Sequence, residues 1–206
     1  MNKVSMLAVL ALAAVGLACA STEATSNPVA EPVAAAAVGA AAPAFSLEDQ
    51  TGKKVSLADY AGKIVVLEWV NPDCPFVQRH ANARTFVNLV DKYGAQNVVW
   101  LGINSTHYAD NAANAKWIAQ HSLPYPILND SAGTVGRAYG ARTTPHMYVI
   151  DTTGKLVYAG GIDDDQGGSK GASAHNHVDQ TLAELTSGKP VSVPETKPYG
   201  CSVKYK

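Results

Sequence analysis

Cys74 stands where an apolar run gives way to a helix. Residues 64–80 read IVVLEWVNPDCPFVQRH: a β-forming stretch, a short polar turn, then a cysteine with a proline directly behind it. The first turn of a helix carries unpaired N–H groups and the positive end of the helix dipole, and both favour a thiolate over a thiol. Cys74 is therefore expected to be more acidic and more nucleophilic than a free cysteine. Pro75 suits the first helical position, where its missing N–H costs nothing and its fixed φ is already helical. A small buried hydrophobe is the bland alternative for a cysteine. The strand-turn-helix setting favours the reactive one, because perturbed thiols cluster at sites built this way.

The chain has three cysteines, at 19, 74 and 201. Cys19 falls in an expected leader over residues 1–20: Lys3 gives a positive start, Met6 to Leu17 an apolar core, and Ala18-Cys19-Ala20 a small-residue cleavage signal. That run is too short and too rich in alanine to read first as a membrane span. Export to the periplasm or the extracellular space follows, with lipid anchoring through Cys19 disfavoured by Gly16 three places upstream. Cys74 and Cys201 then remain in the mature chain, and in an oxidising compartment such a pair can form a disulfide.

The elements that must position these residues alternate in type. Residues 21–42 are Ala, Pro, Ser, Thr and Glu without periodicity and are expected to form a disordered linker. A domain is expected over residues 43–188, followed by an extended, proline-bearing arm over 189–206 that carries Cys201. Within the domain, a hairpin at 45–57 precedes a buried strand at 64–70, and a helix follows Cys74, with Phe86, Leu89, Val90 and Tyr93 on its apolar face. Residues 97–104 (NVVWLGIN) read as a second buried strand, 111–121 as a helix, 123–128 as a short extended piece and 131–139 as a short helix. A second hairpin spans 146–160, a polar loop containing Asp163-Asp164-Asp165 reads as solvated, and a last helix covers 177–185. Strand and helix in alternation point to α/β architecture with parallel strands.

The 206 residues are 47% hydrophobic with a net charge of −1, which fits one well-filled core and leaves no basic footprint for nucleic acid or an anionic membrane. No phosphate loop, dinucleotide fingerprint or Ser-His-Asp order occurs, so no cofactor is expected.

A hairpin, a strand–Cys–helix unit, a further strand and helix, an antiparallel hairpin led by Thr144-Pro145 and a last helix together resemble the thioredoxin superfamily over residues 42–188. The resemblance implies a thioredoxin-like fold: a central mixed β-sheet flanked by helices, with an N-terminal β-hairpin. It implies a cis bond at Thr144-Pro145 facing Cys74, with the Thr144 backbone free to pair with an extended thiol-bearing segment. Cys74-Pro75-Phe76-Val77 lacks the second cysteine of a Cys-x-x-Cys pair. Asn71-Pro72-Asp73-Cys74-Pro75 and the ending Pro198-Tyr199-Gly200-Cys201-Ser202-Val203-Lys204 are instead similar to a peroxiredoxin-like branch of the alkyl hydroperoxide reductase and thiol-specific antioxidant family. That likeness implies a thiol-dependent oxidoreductase acting on a peroxide or a disulfide, regenerated by a thiol reductant, with Cys74 as reactive thiolate and Cys201 as resolving cysteine.

Two departures stand in the site. Asn71 occupies the place of the usual threonine or serine, and Pro145 that of the usual arginine; Arg79 or Arg142 is left to supply positive charge, if they are not solvated surface residues. Three other readings compete. Cys74 and Cys201 would form a permanent structural clamp. A copper-binding thioredoxin-fold module would recruit His80 or His146 to Cys74, although no metal is expected at the site. A redox-inactive binding domain would keep the Thr144-Pro145 groove without turnover.

Overall fold

A computed structural model describes residues 35–206 of the chain. The expected leader with Cys19, and the linker as far as residue 34, lie outside the described residues.

Strands β1 (Ser46–Glu48) and β2 (Lys54–Ser56) form the N-terminal hairpin. Its turn is held by Asp49 Oδ1, which accepts N–H bonds from Thr51 at 2.8 Å and Lys53 at 3.1 Å, as expected of an Asp-x-Thr-Gly turn. Next come β3 (Ile64–Trp69), helices α1 (Pro75–Asn82) and α2 (Thr85–Tyr93), β4 (Val98–Asn104), α3 (Asn111–His121), β5 (Ile127–Asn129) and α4 (Thr134–Tyr139). The two-residue β6 (Thr143–Thr144) leads to the hairpin of β7 (Met147–Ile150) and β8 (Leu156–Gly160), then α5 (His177–Thr186) and the terminal β9 (Cys201–Ser202).

Seven strands form one mixed sheet in the order β2-β1-β5-β4-β3-β7-β8, while β6 and β9 pair separately. β3 runs parallel to β4 and antiparallel to β7, and every one of its residues is buried. That is why its sequence is almost continuously apolar rather than alternating. Successive side chains on a strand leave opposite faces. Val66 joins the core with Phe86, Leu89, Trp100, Val178 and Leu182, and Val65, Leu67 and Trp69 join the other with Leu101, Tyr139 and Tyr148. Each such fully buried aliphatic side chain contributes about 1.5–3 kcal/mol. β3 is thereby clamped from both sides, and it delivers Cys74 to a fixed point at its C-terminal end.

Three features differ from the sequence expectation. The helix after Cys74 is two helices: Arg84 takes φ 55° between α1 and α2. No proline or glycine announces the break, and it lets α2 set Phe86, Leu89 and Tyr93 into the core independently of α1.

The ordered chain also begins upstream of residue 43. Gly39 N–H donates to Leu156 O at 2.8 Å, Leu156 N–H to Ala40 O at 2.9 Å, and Ala42 N–H to Gly154 O at 2.9 Å. An open sheet edge recruits backbone without any side-chain periodicity, so a composition that reads as linker still pairs here.

Finally, the Asp163–Asp165 stretch is not a solvated run, since Asp163 and Asp165 are both buried.

Candidate active site

Cys74 is the N-cap of α1 with Pro75 at the first helical position, and its side chain is 1% exposed. The turn before it is held by Asn71, also buried, whose Oδ1 accepts the Asp73 N–H at 2.9 Å. Asn71 thus shapes the turn that presents the sulfur. Gln78 Nε2 donates to Pro72 O at 2.9 Å and ties the turn to α1.

Across from the sulfur lies the segment before β7. The Thr144–Pro145 peptide bond is cis, and the Cys74 thiol donates to Thr144 O at 2.9 Å. The Thr144 hydroxyl is buried and has no hydrogen-bond partner.

The C-terminal arm completes the site. β9 pairs antiparallel with β6, with Cys201 in register with Thr144 and Ser202 with Thr143. Cys201 is half-buried, and both cysteines are free thiols. Between Tyr199 and Cys201, Gly200 takes φ 134°, and a Cβ there would collide with the Thr144 carbonyl. Only glycine lets the arm approach this closely. Beyond the cysteine, Tyr205 donates to Ala141 O at 2.8 Å and lies over Gly136, where a Cβ would come within 2.5 Å of its hydroxyl oxygen. The arm is therefore held on both sides of Cys201. The extended thiol-bearing segment expected beside Thr144 is the chain's own.

The two thiols differ in acidity. Burial alone raises Cys74, but hydrogen bonds from the Cys201 side chain, the Thr144 side chain and the backbone N–H groups of Val77 and Cys201 outweigh it, and the thiol falls below its ordinary value. The Thr144 hydroxyl, which has no partner beside the thiol, is one of the groups that favour the thiolate. Cys201 moves the other way. Burial, then the hydrogen bond and charge of Cys74, push it up to about 11 against a smaller opposing effect of Lys204. At neutral pH Cys74 is the better nucleophile and leaving group, and Cys201 holds its proton.

The two arginines enter the site in different ways. Arg79 turns from the sulfur to donate to Asp165 O at 2.7 Å, Gln166 O at 3.2 Å and the Tyr199 hydroxyl at 3.3 Å. Arg142 is exposed and enters the site through its backbone, its carbonyl accepting the Val203 N–H at 3.1 Å. His146 also faces elsewhere, with Nδ1 bonded to the Tyr148 hydroxyl at 3.0 Å and to the Arg142 N–H at 3.3 Å. His80 is taken up by Tyr199, at 3.0 Å from its hydroxyl. Among the described residues no three His, Cys, Asp or Glu side chains converge as a metal-binding cluster.

The sequence model of the AhpC/TSA family matches residues 38–159, the part of the chain that builds the sheet and carries Cys74 and Thr144. The chain belongs to the AhpC/TSA family. Among curated relatives it is 29% identical over 165 residues to the chloroplastic peroxiredoxin Q of Suaeda salsa, covering 75% of this chain and 70% of that one. It is 33% identical over 123 residues to the thiol-disulfide oxidoreductase ResA of Geobacillus thermodenitrificans, covering 59% of this chain and 68% of that one. A solved structure of an uncharacterized conserved protein from Geobacillus kaustophilus superimposes with a TM-score of 0.75 at 29% identity, over 82% of this chain and 93% of that one. The fold is thioredoxin-like, and the chain is a thiol-dependent oxidoreductase. The arm with Cys201 lies outside the family match.

The residues that grip the arm, His80, Asp163 and Tyr199, were not legible as a group. They lie up to 119 positions apart, and only the short spacing of Tyr199 from Cys201 hints at a role.

Proposed function

We propose that the protein is a thiol peroxidase in which Cys74 reduces a hydroperoxide and Cys201 resolves the product. The observation that carries this is the seating of Cys201 in register with Thr144, whose carbonyl accepts the Cys74 thiol at 2.9 Å. The Cys74 thiolate attacks the distal peroxide oxygen, forming an S–O bond as the O–O bond breaks; the sulfenic acid keeps the hydroxyl hydrogen, and the departing alkoxide or hydroxide takes from solvent the proton that Cys74 lost on ionising. Cys201 sulfur then attacks Cys74, the S–O bond breaks, and the hydroxyl leaves as water with the Cys201 proton. An external thiol reduces the disulfide and returns both thiols.

A small oxidant is favoured over a protein disulfide for a steric reason. Cys74 is 1% exposed, and the Thr143–Thr144 edge that an incoming polypeptide would pair with is already occupied by β9. Residues 1–20 read as an export signal, which supports action outside the cytoplasm. No helix of the described residues is long and apolar enough to cross a membrane.

The test is stopped-flow oxidation of Cys74 by hydrogen peroxide and by a disulfide substrate, in wild type and Cys201→Ser, with mapping of the bridges formed. Faster reaction with peroxide and a Cys74–Cys201 bridge are expected. A Cys74 that reacts no faster than free cysteine would sink the reading, and a bridge that survives every reductant would make the pair a structural clamp.

A further inference from the structure

The hydroxyl of Tyr199 is the most heavily bonded side-chain atom near the site. It donates to Asp163 Oδ1, and it lies 3.0 Å from His80 Nε2 and 3.3 Å from Arg79 Nη2. A phenol oxygen has one proton to give and two lone pairs to fill. With its proton on Asp163, it accepts from His80 and Arg79, and the remaining His80 nitrogen, Nδ1, takes the Thr85 hydroxyl at 3.3 Å. Tyr199, His80 and Asp163 are all buried, and the Tyr199 ring also meets Phe76 edge-on at 5.9 Å.

From this geometry we infer that Tyr199, gripped by His80, Asp163 and Arg79, is the positioning residue that seats Cys201 against Cys74. The inference rests on the reading of the two cysteines as a reacting pair.

Connectivity supports the assignment. Arg79 and His80 belong to α1, the helix that Cys74 itself caps, so the grip ties the arm to the element that carries the nucleophile. Only Gly200 separates Tyr199 from Cys201, and its φ of 134° is a backbone state that transmits no side-chain contact of its own. The placement of Cys201 upstream is thus decided at Tyr199. Arg79, which fails to reach the sulfur, acts on it through the arm. Asp163 comes from the loop after β8, a third element that must be in place before the arm can seat. When the sulfenic acid forms on Cys74, the attacking Cys201 sulfur is already adjacent, and condensation needs no unfolding of α1. Partition between disulfide and over-oxidised Cys74 then depends on how firmly Tyr199 is held.

The experiment treats full-length mature protein with hydrogen peroxide in the presence of dimedone, which traps sulfenic acid, and measures by mass spectrometry the ratio of trapped Cys74 to Cys74–Cys201 disulfide. Tyr199→Phe, which keeps the ring and removes the hydroxyl, is expected to raise that ratio about ten-fold, whereas Asp163→Asn, which keeps an acceptor, stays within about three-fold of wild type. Asp163→Ala follows Tyr199→Phe, and carries the comparison with Asp163→Asn should Tyr199→Phe fail to fold. A packing role alone lowers the melting temperature without moving the ratio. An unchanged ratio in both Tyr199→Phe and Asp163→Ala, with wild type forming the disulfide, overturns the positioning role and leaves the peroxidase reading intact. Absence of the disulfide in wild type overturns both.

Discussion

Thr144 faces Cys201 across an antiparallel bridge, and its carbonyl takes the Cys74 thiol at 2.9 Å. One residue thus fixes both sulfurs, the first through its oxygen and the second through its place in the ladder. The site has the proximity needed for disulfide formation built into backbone pairing.

Cys201 has a part to play before any oxidation, because its side chain helps to hold the Cys74 thiol below its ordinary value. Cys201→Ala is expected to slow alkylation of Cys74 at neutral pH by about three- to ten-fold, while Cys201→Ser, which keeps a donor, stays closer to wild type. Iodoacetamide kinetics as a function of pH separate the two variants. Equal rates in both would remove the donor role.

The unpartnered Thr144 hydroxyl is a reactivity device with a stability cost. Thr144→Val removes a buried polar group that has nothing to bond in the thiol state, and the reduced protein should gain about 1 kcal/mol. The same change deprives the thiolate of a donor, so Cys74 becomes less acidic and reacts more slowly with peroxide. Urea titration and stopped-flow on the same preparation check that the two effects have opposite benefit.

Gly200→Ala introduces a Cβ into the Thr144 carbonyl at a φ that side chains rarely adopt. A loss of about 2 kcal/mol or more is expected, with β9 displaced and the yield of Cys74–Cys201 disulfide reduced. Thermal unfolding and bridge mapping report the two consequences, and an Ala variant that forms the disulfide at the wild-type rate would contradict the close approach.

Stability should vary with pH through two buried groups of opposite sign. Burial, only partly offset by hydrogen bonds from Trp100 and Tyr125, raises Glu68 from 4.5 to about 7. The native state holds that proton more tightly than the unfolded chain, so its contribution is complete below pH 4.5 and is lost as pH rises through about 7. The loss amounts to about 3 kcal/mol at most. Burial and then the charge of Arg142 lower His146 from 6.5 to about 3, so its contribution is present above pH 6.5 and lost as pH falls toward 3. Glu68→Gln keeps an acceptor for both donors and should remove the loss on the alkaline side, leaving only the acid-side loss. Denaturant midpoints measured from pH 4.5 to 8.5 test this, and parallel profiles for wild type and variant would refute it.

What could be read from the sequence was what neighbouring residues decide together. The apolar run of β3 told of a strand buried on both faces, Cys74-Pro75 of a helix start, and the Asp-x-Thr-Gly turns at 49–52 and 151–154 of two hairpins, because periodicity, capping and turn chemistry are local. Cys201 was visible as a partner through the count of cysteines and the resemblance of the Pro198–Lys204 ending. Its seating opposite Thr144, the capture of Tyr199 by His80 and Asp163, the turning of Arg79 toward the arm and the pairing of residues 39–42 with the β8 edge all join residues tens of positions apart. Such contacts depend on which backbone edges and buried polar groups the folded sheet leaves unsatisfied, and that is decided only once the tertiary structure has formed.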